Sequence, residues 1–256
     1  SPEEIRKEKP CYDFNRKSIL FLGGFQVFDK NGENITGEFT PTLKFILVLI
    51  ILYANNKGIS SWKLQELLWF DKTEEAARNN RNVNISKLRL ILQKLGEIDI
   101  TNQNGYWTIA LPDDVLCDYK ETLRLVNQIQ NETTTAKEDL LRLLSLLDYG
   151  QMLPNIQLEW VDNFKTDFTN AVMDALIYLV NNEKNSFYNQ PEIRLKIADS
   201  LLKLDSIHEE AIGIKCKAYI KMGKKSLAKA TFENFSREYK LMLGEPYPGS
   251  GKDFWE

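Results

Sequence analysis

The chain has 256 residues, 43% of them hydrophobic and 27% charged, enough for one large domain or two ordinary ones and in the range of globular proteins. Its 33 Lys and Arg against 36 Asp and Glu are unevenly spread: residues 1–110 carry 15 basic and 13 acidic side chains, a net +2, and residues 111–256 carry 18 and 23, a net −5. Cys11, Cys117 and Cys216 are odd in number, far apart and free of any CxxC pair, which argues against a disulfide framework or zinc site and for a reducing, cytoplasmic compartment.

The opening SPEEIRKEKP has no Met, apolar core or cleavage site, so a signal peptide is not expected; it reads as a polar linker over 1–17, with further sequence upstream. Residues 18–36 read as strands, SILFLGGFQVF and ENIT around the turn DKNG, with Phe21, Phe25 and Val27 on one face. The run FILVLIILYA (45–54) is ten residues long, half of the roughly 20 that cross a bilayer, and reads as a buried helix stopped by NNKG. SSWKLQELLWF (60–70) opens on serine caps and places Leu64, Leu67 and Leu68 on one stripe. IDIT and GYWTIAL flank NQNG, and Asn-Gly between alternating apolar residues predicts a hairpin. LPDD closes this module near residue 114.

Between the second helix and the hairpin lies AARNNRNVNISKLRLILQKLG (76–96), with five basic side chains and no acid. At about 100° per residue, Ala77, Ile85, Leu88, Ile91, Leu92 and Leu95 share a core-facing arc. Arg78, Asn79, Asn82, Val83, Ser86 and Lys87 fall opposite, while Arg81 falls inside the core arc. Asparagine is a poor helix former, so crowding Asn79, Asn80, Asn82 and Asn84 into two turns needs a reason. Amides pair bidentately with adenine, and Arg or Lys with guanine. A lone basic helix is more often a solvated face. A short helix before it and a hairpin after it turn the balance to DNA binding.

From Cys117 to Leu243 the chain shows helical periodicity without a convincing strand. Polar clusters such as NETTTA and NNEKNS interrupt it. In IGIKCKAYIKMGKKSLAKATFENF (212–235), Cys216, Tyr219, Gly223, Ala228 and Phe232 fall where a tetratricopeptide repeat needs small, aromatic, Gly, Ala and aromatic residues. IRLKIADSLLKLDS (193–206) supplies the second helix of an earlier, degenerate repeat.

GGFQVFDKNG, SSWKLQELLWFDKTEEAARNNRNVNISKLRLIL and NQNGYWTIAL together resemble the OmpR-like winged helix of SARP-type transcriptional activators. In that family an all-helical bacterial transcriptional activation domain follows, similar to CDYKETLRL, GQMLPNIQLEWVDNF and LLKLDSIHEEAIGIKCKAYIKMGKKSLAKATFENFSREYKLMLGEPYP here. The resemblance covers roughly residues 18–248. It implies an α+β winged helix over 18–114, an all-α tetratricopeptide-like helical repeat domain over 115–246, and a tail over 247–256. It implies groove-facing roles for Asn79, Asn82, Val83, Ser86 and Lys87, with Arg78 on the same face, and backbone contacts for Trp69, Ser61 and Thr42. Gln103 and Asn104 sit at the wing tip. Arg81 stands where an aliphatic residue is usual, and the wing tip lacks the common arginine.

The partners implied are double-stranded DNA, RNA polymerase or another protein, and a second protomer on repeated half-sites. No cofactor, metal or membrane contact is expected. Catalysis finds no support: His208, the single histidine, sits at a helix start where capping is expected, with Glu209 and Glu210 as first-turn acids. GSGKDFW (249–255) has Pro246 and Asp253 where a phosphate loop needs Gly and Ser or Thr, and reads as a linker. The competing reading is a protein-interaction scaffold whose winged helix does not bind DNA.

Overall fold

The computed structural model describes residues 16–54, 56–131, 135–181 and 186–255. Most of the linker expected over 1–17, Cys11, and parts of NNKG, NETTTA and NNEKNS lie outside them. The chain divides into two compact units, the first running to Asp118 and taking back Asn155–Phe164, the second holding Tyr119–Pro154 and the chain from Lys165 onward.

The first unit is built around helix α1 (Pro41–Leu52), in which Leu43 and every residue from Ile46 to Leu52 are buried. A helix apolar on all sides belongs at the centre of a core, and each Leu or Ile buried there contributes about 1.5–3 kcal/mol. Thr40 caps it, its hydroxyl accepting from the Leu43 N–H at 3.3 Å, and Pro41 supplies a preset first turn. Its two half-buried aromatics are met by the returning segment, Phe45 by Trp160 at 5.9 Å and Tyr53 by Phe164 at 5.1 Å. That contact explains why residues 155–164, whose motif resembles part of the second domain, pack with the first.

Two small sheets flank this helix. Strands β1 (Ser18–Leu20) and β2 (Gln26–Phe28) pair antiparallel, and β6 (Leu116–Cys117) adds in parallel to β1. The strand expected at ENIT reduces to one bridge between Phe28 and Asn34, followed by a 3-10 turn at Thr36–Glu38. Strand β6 lies where no strand is expected, since two residues carry no readable alternation. Directly after it, the buried Asp118 carboxylate accepts from the N–H groups of Phe21 at 2.7 Å and Leu22 at 2.9 Å, closing the sheet where the chain leaves it.

The second sheet has the order β3 (Ile59–Ser60), β5 (Tyr106–Ala110), β4 (Asp99–Gln103), all antiparallel. The β4–β5 turn is Asn104-Gly105, at φ 52° and 85°. Two consecutive left-handed residues are what a two-residue hairpin turn matching strand twist requires. Between β3 and β4 run α2 (Ser61–Leu68) and α3 (Glu74–Leu92).

Helix α4 (Asp118–Asn131) begins on the last residue of the first stretch of the first unit and continues in the second, where α5 is Lys137–Leu147; α6 (Glu159–Asn181) also starts in the first unit. Three further helices, α7 (Pro191–Leu204), α8 (Glu209–Lys221) and α9 (Lys225–Leu243), pack in sequence, α7 on α8 and α8 on α9. Gly223, at φ 72°, makes the α8–α9 turn, and Cys216 and Ala228 are buried where the two helices meet. Burial pushes the Cys216 thiol up to about 11, so it stays protonated at neutral pH and is a core side chain rather than a nucleophile. His208 is the α8 cap, its Nδ1 accepting from the Ala211 N–H at 3.2 Å.

The stretch read from sequence as a linker tail is packed instead. Residues Gly251–Phe254 form a 3-10 turn, and Phe254 is buried with Phe235, Cys216 and Ile212. Phe232, Phe235, Tyr239 and Tyr247 surround it, with Phe235 and Tyr247 centroids 4.9 Å apart. Two glycines, a serine, a lysine and an aspartate before two aromatics resemble a spacer locally. The apolar surface that recruits them lies on α8 and α9, out of reach of a local reading.

Gly58, at φ 95°, lies where a Cβ would press on the Trp107 carbonyl and come within 2.6 Å of Thr108 Cγ2. Gly58→Ala is expected to destabilise the first unit by more than about 1 kcal/mol, read as a lower urea midpoint at unchanged slope. Asp118→Ala strands two buried N–H groups and is expected to cost about 1–3 kcal/mol in the same measurement.

Candidate nucleic-acid interface

Helix α3 forms because Thr73 caps it, accepting from the Ala76 N–H at 3.3 Å, and because Ala77, Ile85, Leu88 and Leu92 supply a buried stripe. It begins two residues before the acid-free segment 76–96, so Glu74 and Glu75 occupy its first turn. These carboxylates favour the positive end of the helix dipole and correct the picture of a purely basic helix. Arg78 is paired with Glu74 at 3.2 Å. Lys94 lies past the helix end, bound to Glu38 at 2.6 Å.

The outward arc is as the helical spacing predicts. Asn79, Asn82, Val83, Ser86 and Lys87 are all exposed, Val83 at 52%. Asn80 and Asn84 are half-buried, and the Asn84 amide donates to the Asn80 carbonyl at 2.8 Å. Ser86 Oγ donates to the Asn82 carbonyl at 2.9 Å, leaving its lone pairs outward. Recognition helices usually read bases from their N-terminal residues. Here that end is acidic, and the exposed arc without acids starts one turn in, at Asn79.

The hairpin is fastened to this helix by Trp107, a residue the sequence reading did not single out. Its ring is flanked by the guanidinium groups of Arg81, 5.6 Å from the centroid, and Arg89, at 5.9 Å. Arg89 also donates to the Ile100 carbonyl of β4 through Nε at 3.2 Å. The indole Nε1 donates to Ser61 Oγ at 2.9 Å, and Asn102 donates to the same hydroxyl at 3.4 Å. One residue thus joins α2, α3 and the hairpin. Arg81 lies inside the apolar arc because its partner there is an aromatic ring. Burial first, and the neighbouring Arg78 charge second, lower its pKa, and it also donates to Asn82 Oδ1 at 3.2 Å. A readable signal existed: Arg81 and Arg89 are eight residues apart, about 80° around the helix, and so share a side.

The remaining expected contact residues are dispersed. Gln103 and Asn104 are exposed at or beside the hairpin turn. Thr42 is half-buried in the first turn of α1. Trp69 is only 8% exposed at the end of α2, while its neighbour Phe70 is 85% exposed and Trp62 is 69% exposed. Phe70 and Trp62 line an open cavity of about 680 Å³ between α2 and α3 that also touches Arg78 and Arg81. Among the described residues no group of His, Cys, Asp and Glu is placed to hold a metal ion, and no helix is long and apolar enough to cross a membrane.

Helix, strand, two helices and hairpin in this order, followed by packed helical pairs, define a winged-helix unit joined to a helical unit. The solved structure of Mycobacterium tuberculosis EmbR in complex with a low affinity phosphopeptide has a similar fold, with a TM-score of 0.58 at 18% identity over 92% of this chain. The chain spans 62% of the length of that EmbR chain. No protein-family model matches the sequence, and no curated protein matches it.

If Trp107 is the fastening, Ser61→Ala leaves its indole N–H without its acceptor and is expected to lower stability by about 1 kcal/mol. Trp107→Ala is expected to cost about 3–5 kcal/mol. Urea unfolding followed by far-UV circular dichroism measures both.

Proposed function

We propose that this chain is a transcription regulator of the SARP type, an activator whose winged helix binds promoter DNA. Helix α3 enters the major groove, the β4–β5 hairpin touches the minor groove, and the helical unit contacts RNA polymerase or another protein. Two protomers occupy repeated half-sites. The observation that carries this reading is the outward arc of α3, where three exposed groups able to pair with base edges or phosphates (Asn79, Asn82, Lys87) sit beside a hairpin held on the same helix. The EmbR-like fold supports it at the level of architecture.

The residues divide by task. Asn79 and Asn82 present amides for the adenine edge, Val83 presents an apolar surface for a thymine methyl, and Ser86 and Lys87 suit phosphate or guanine. Arg81 and Arg89 position the hairpin, so the cations left for phosphate are fewer than the helix composition suggests.

A second reading has its own support. Exposed Trp62 and Phe70 beside an open groove suit a protein partner on the same unit. Gel shifts against salt separate the two. DNA binding is expected to show log K falling linearly with log salt. Lys87→Glu is expected to reduce that slope by about one. Asn82→Ala is expected to cost about 1–3 kcal/mol on the preferred site and little on others. Absence of binding at low salt to any member of a random duplex pool would favour the protein partner.

A further inference from the structure

Helix α9 turns Ala228, Phe232, Phe235 and Tyr239 toward the core it shares with α8 and the C-terminal turn. At about 100° per residue, Leu227, Ala230, Asn234, Arg237, Glu238 and Leu241 fall on its other side, and all six are exposed. Leu227 is 44% exposed and Leu241 78%, and Met242 and Leu243 extend the apolar surface at the helix end. Among the described residues, the large apolar side chains exposed in the second unit are these four and Tyr178. Apolar surface gathered on one helix marks a place of contact.

The outer face matches itself when reversed. Leu227 and Leu241 lie equally far before and after Asn234, about 10 Å each way along the axis. Two copies of α9 set antiparallel about a two-fold axis at Asn234 bring Leu227 of each onto Leu241 of the other, which buries both ends of the face. In the single chain Asn234 Oδ1 accepts from Arg237, and the amide keeps N–H groups to donate to its own copy at the centre. Charge selects the direction. A parallel pair sets Arg237 against Arg237 and Glu238 against Glu238. The antiparallel pair sets Arg237 over Ala230 and within reach of Glu233 on the same flank. Glu233 is committed only to a long, exposed ion pair with Lys229 at 3.9 Å, which is worth little and yields to a guanidinium.

We infer that the outer face of α9 is a self-association surface, on which a second copy of this chain docks its own α9 antiparallel. The contact is isologous, each residue meeting on the partner what the partner meets on it. One helix face is small beside the roughly 1,200–2,000 Å² of a stable interface, so the dimer is a weak, exchanging one. It is a property of the second unit and does not rest on DNA binding by the first.

Sedimentation equilibrium on the full 256-residue chain without DNA tests the assignment. A concentration-dependent equilibrium of monomer and dimer is expected, with nothing larger, because a two-fold contact closes on itself. Leu227→Lys and Leu241→Lys are each expected to raise the dissociation constant by roughly tenfold or more, while Lys196→Glu, an exposed control on α7, changes nothing. Arg237→Glu and Glu233→Arg are each expected to weaken the dimer, and an equimolar mixture of the two variants to recover it. Only the mixed pair sets opposite charges on both sides of the axis, so recovery on mixing separates docking from a change within one chain. Thermal unfolding checks that each variant is folded. A chain that stays monomeric up to its solubility limit overturns the assignment and leaves the face to a different protein. A dimer indifferent to both leucine variants overturns it, as does a mixture no tighter than its components. DNA affinity is read separately, so either inference can fail alone.

Discussion

The first unit depends on how one indole is held. Trp107 sits in the middle strand of a three-stranded sheet, with a hydroxyl on its N–H and a guanidinium near its ring from each of two turns of α3. An isolated two-stranded hairpin is marginal in water, and cation–π contacts of about 0.5–2 kcal/mol at this centre give it a fixed seat. The same contacts divide the basic residues of α3 into two groups. Arg81 and Arg89 are occupied within the unit, and Arg78 and Lys87 remain at the surface. Charge that looks uniform in sequence is therefore structural in Arg81 and Arg89, paired with Glu74 in Arg78, and exposed in Lys87.

Much of this was legible because the signals were local and periodic. The ten-residue apolar run became α1, Asn104-Gly105 became the hairpin turn, and Gly223 and Ala228 fell in and after the turn of a helical pair. The arc of α3 was readable for the same reason, and exposure along it follows the 3.6-residue period. What escaped was short or distant. Strands β3 and β6 have two residues each and exist through their partners β5 and β1. The start of α3 at Glu74 is set by the Thr73 cap, which lies outside the acid-free stretch 76–96. Trp107 was visible only as one aromatic of a strand, since its three partners are 46, 26 and 18 residues away.

The second unit shows how little sequence identity an architecture needs. A similar fold at 18% identity is intelligible if helix packing asks for volume and pattern rather than particular residues. Small Cys216 and Ala228 at the α8–α9 crossing meet that demand, as do the rings that close over Phe254. The closing segment, itself a 3-10 turn, packs on α8 and α9 by aromatic contact, so its glycines permit approach of rings instead of marking a spacer.

Helix α1 carries a consequence for the life of the protein outside its native state. With the two residues after it, it offers ten apolar residues from Phe45 to Ala54 with no charge and no proline, rich in branched side chains. Such a segment is harmless inside a core and adhesive outside one. Where an opening that frees it leads to clumping faster than to refolding, persistence is governed by the height of the barrier to opening rather than by the equilibrium between open and closed chains.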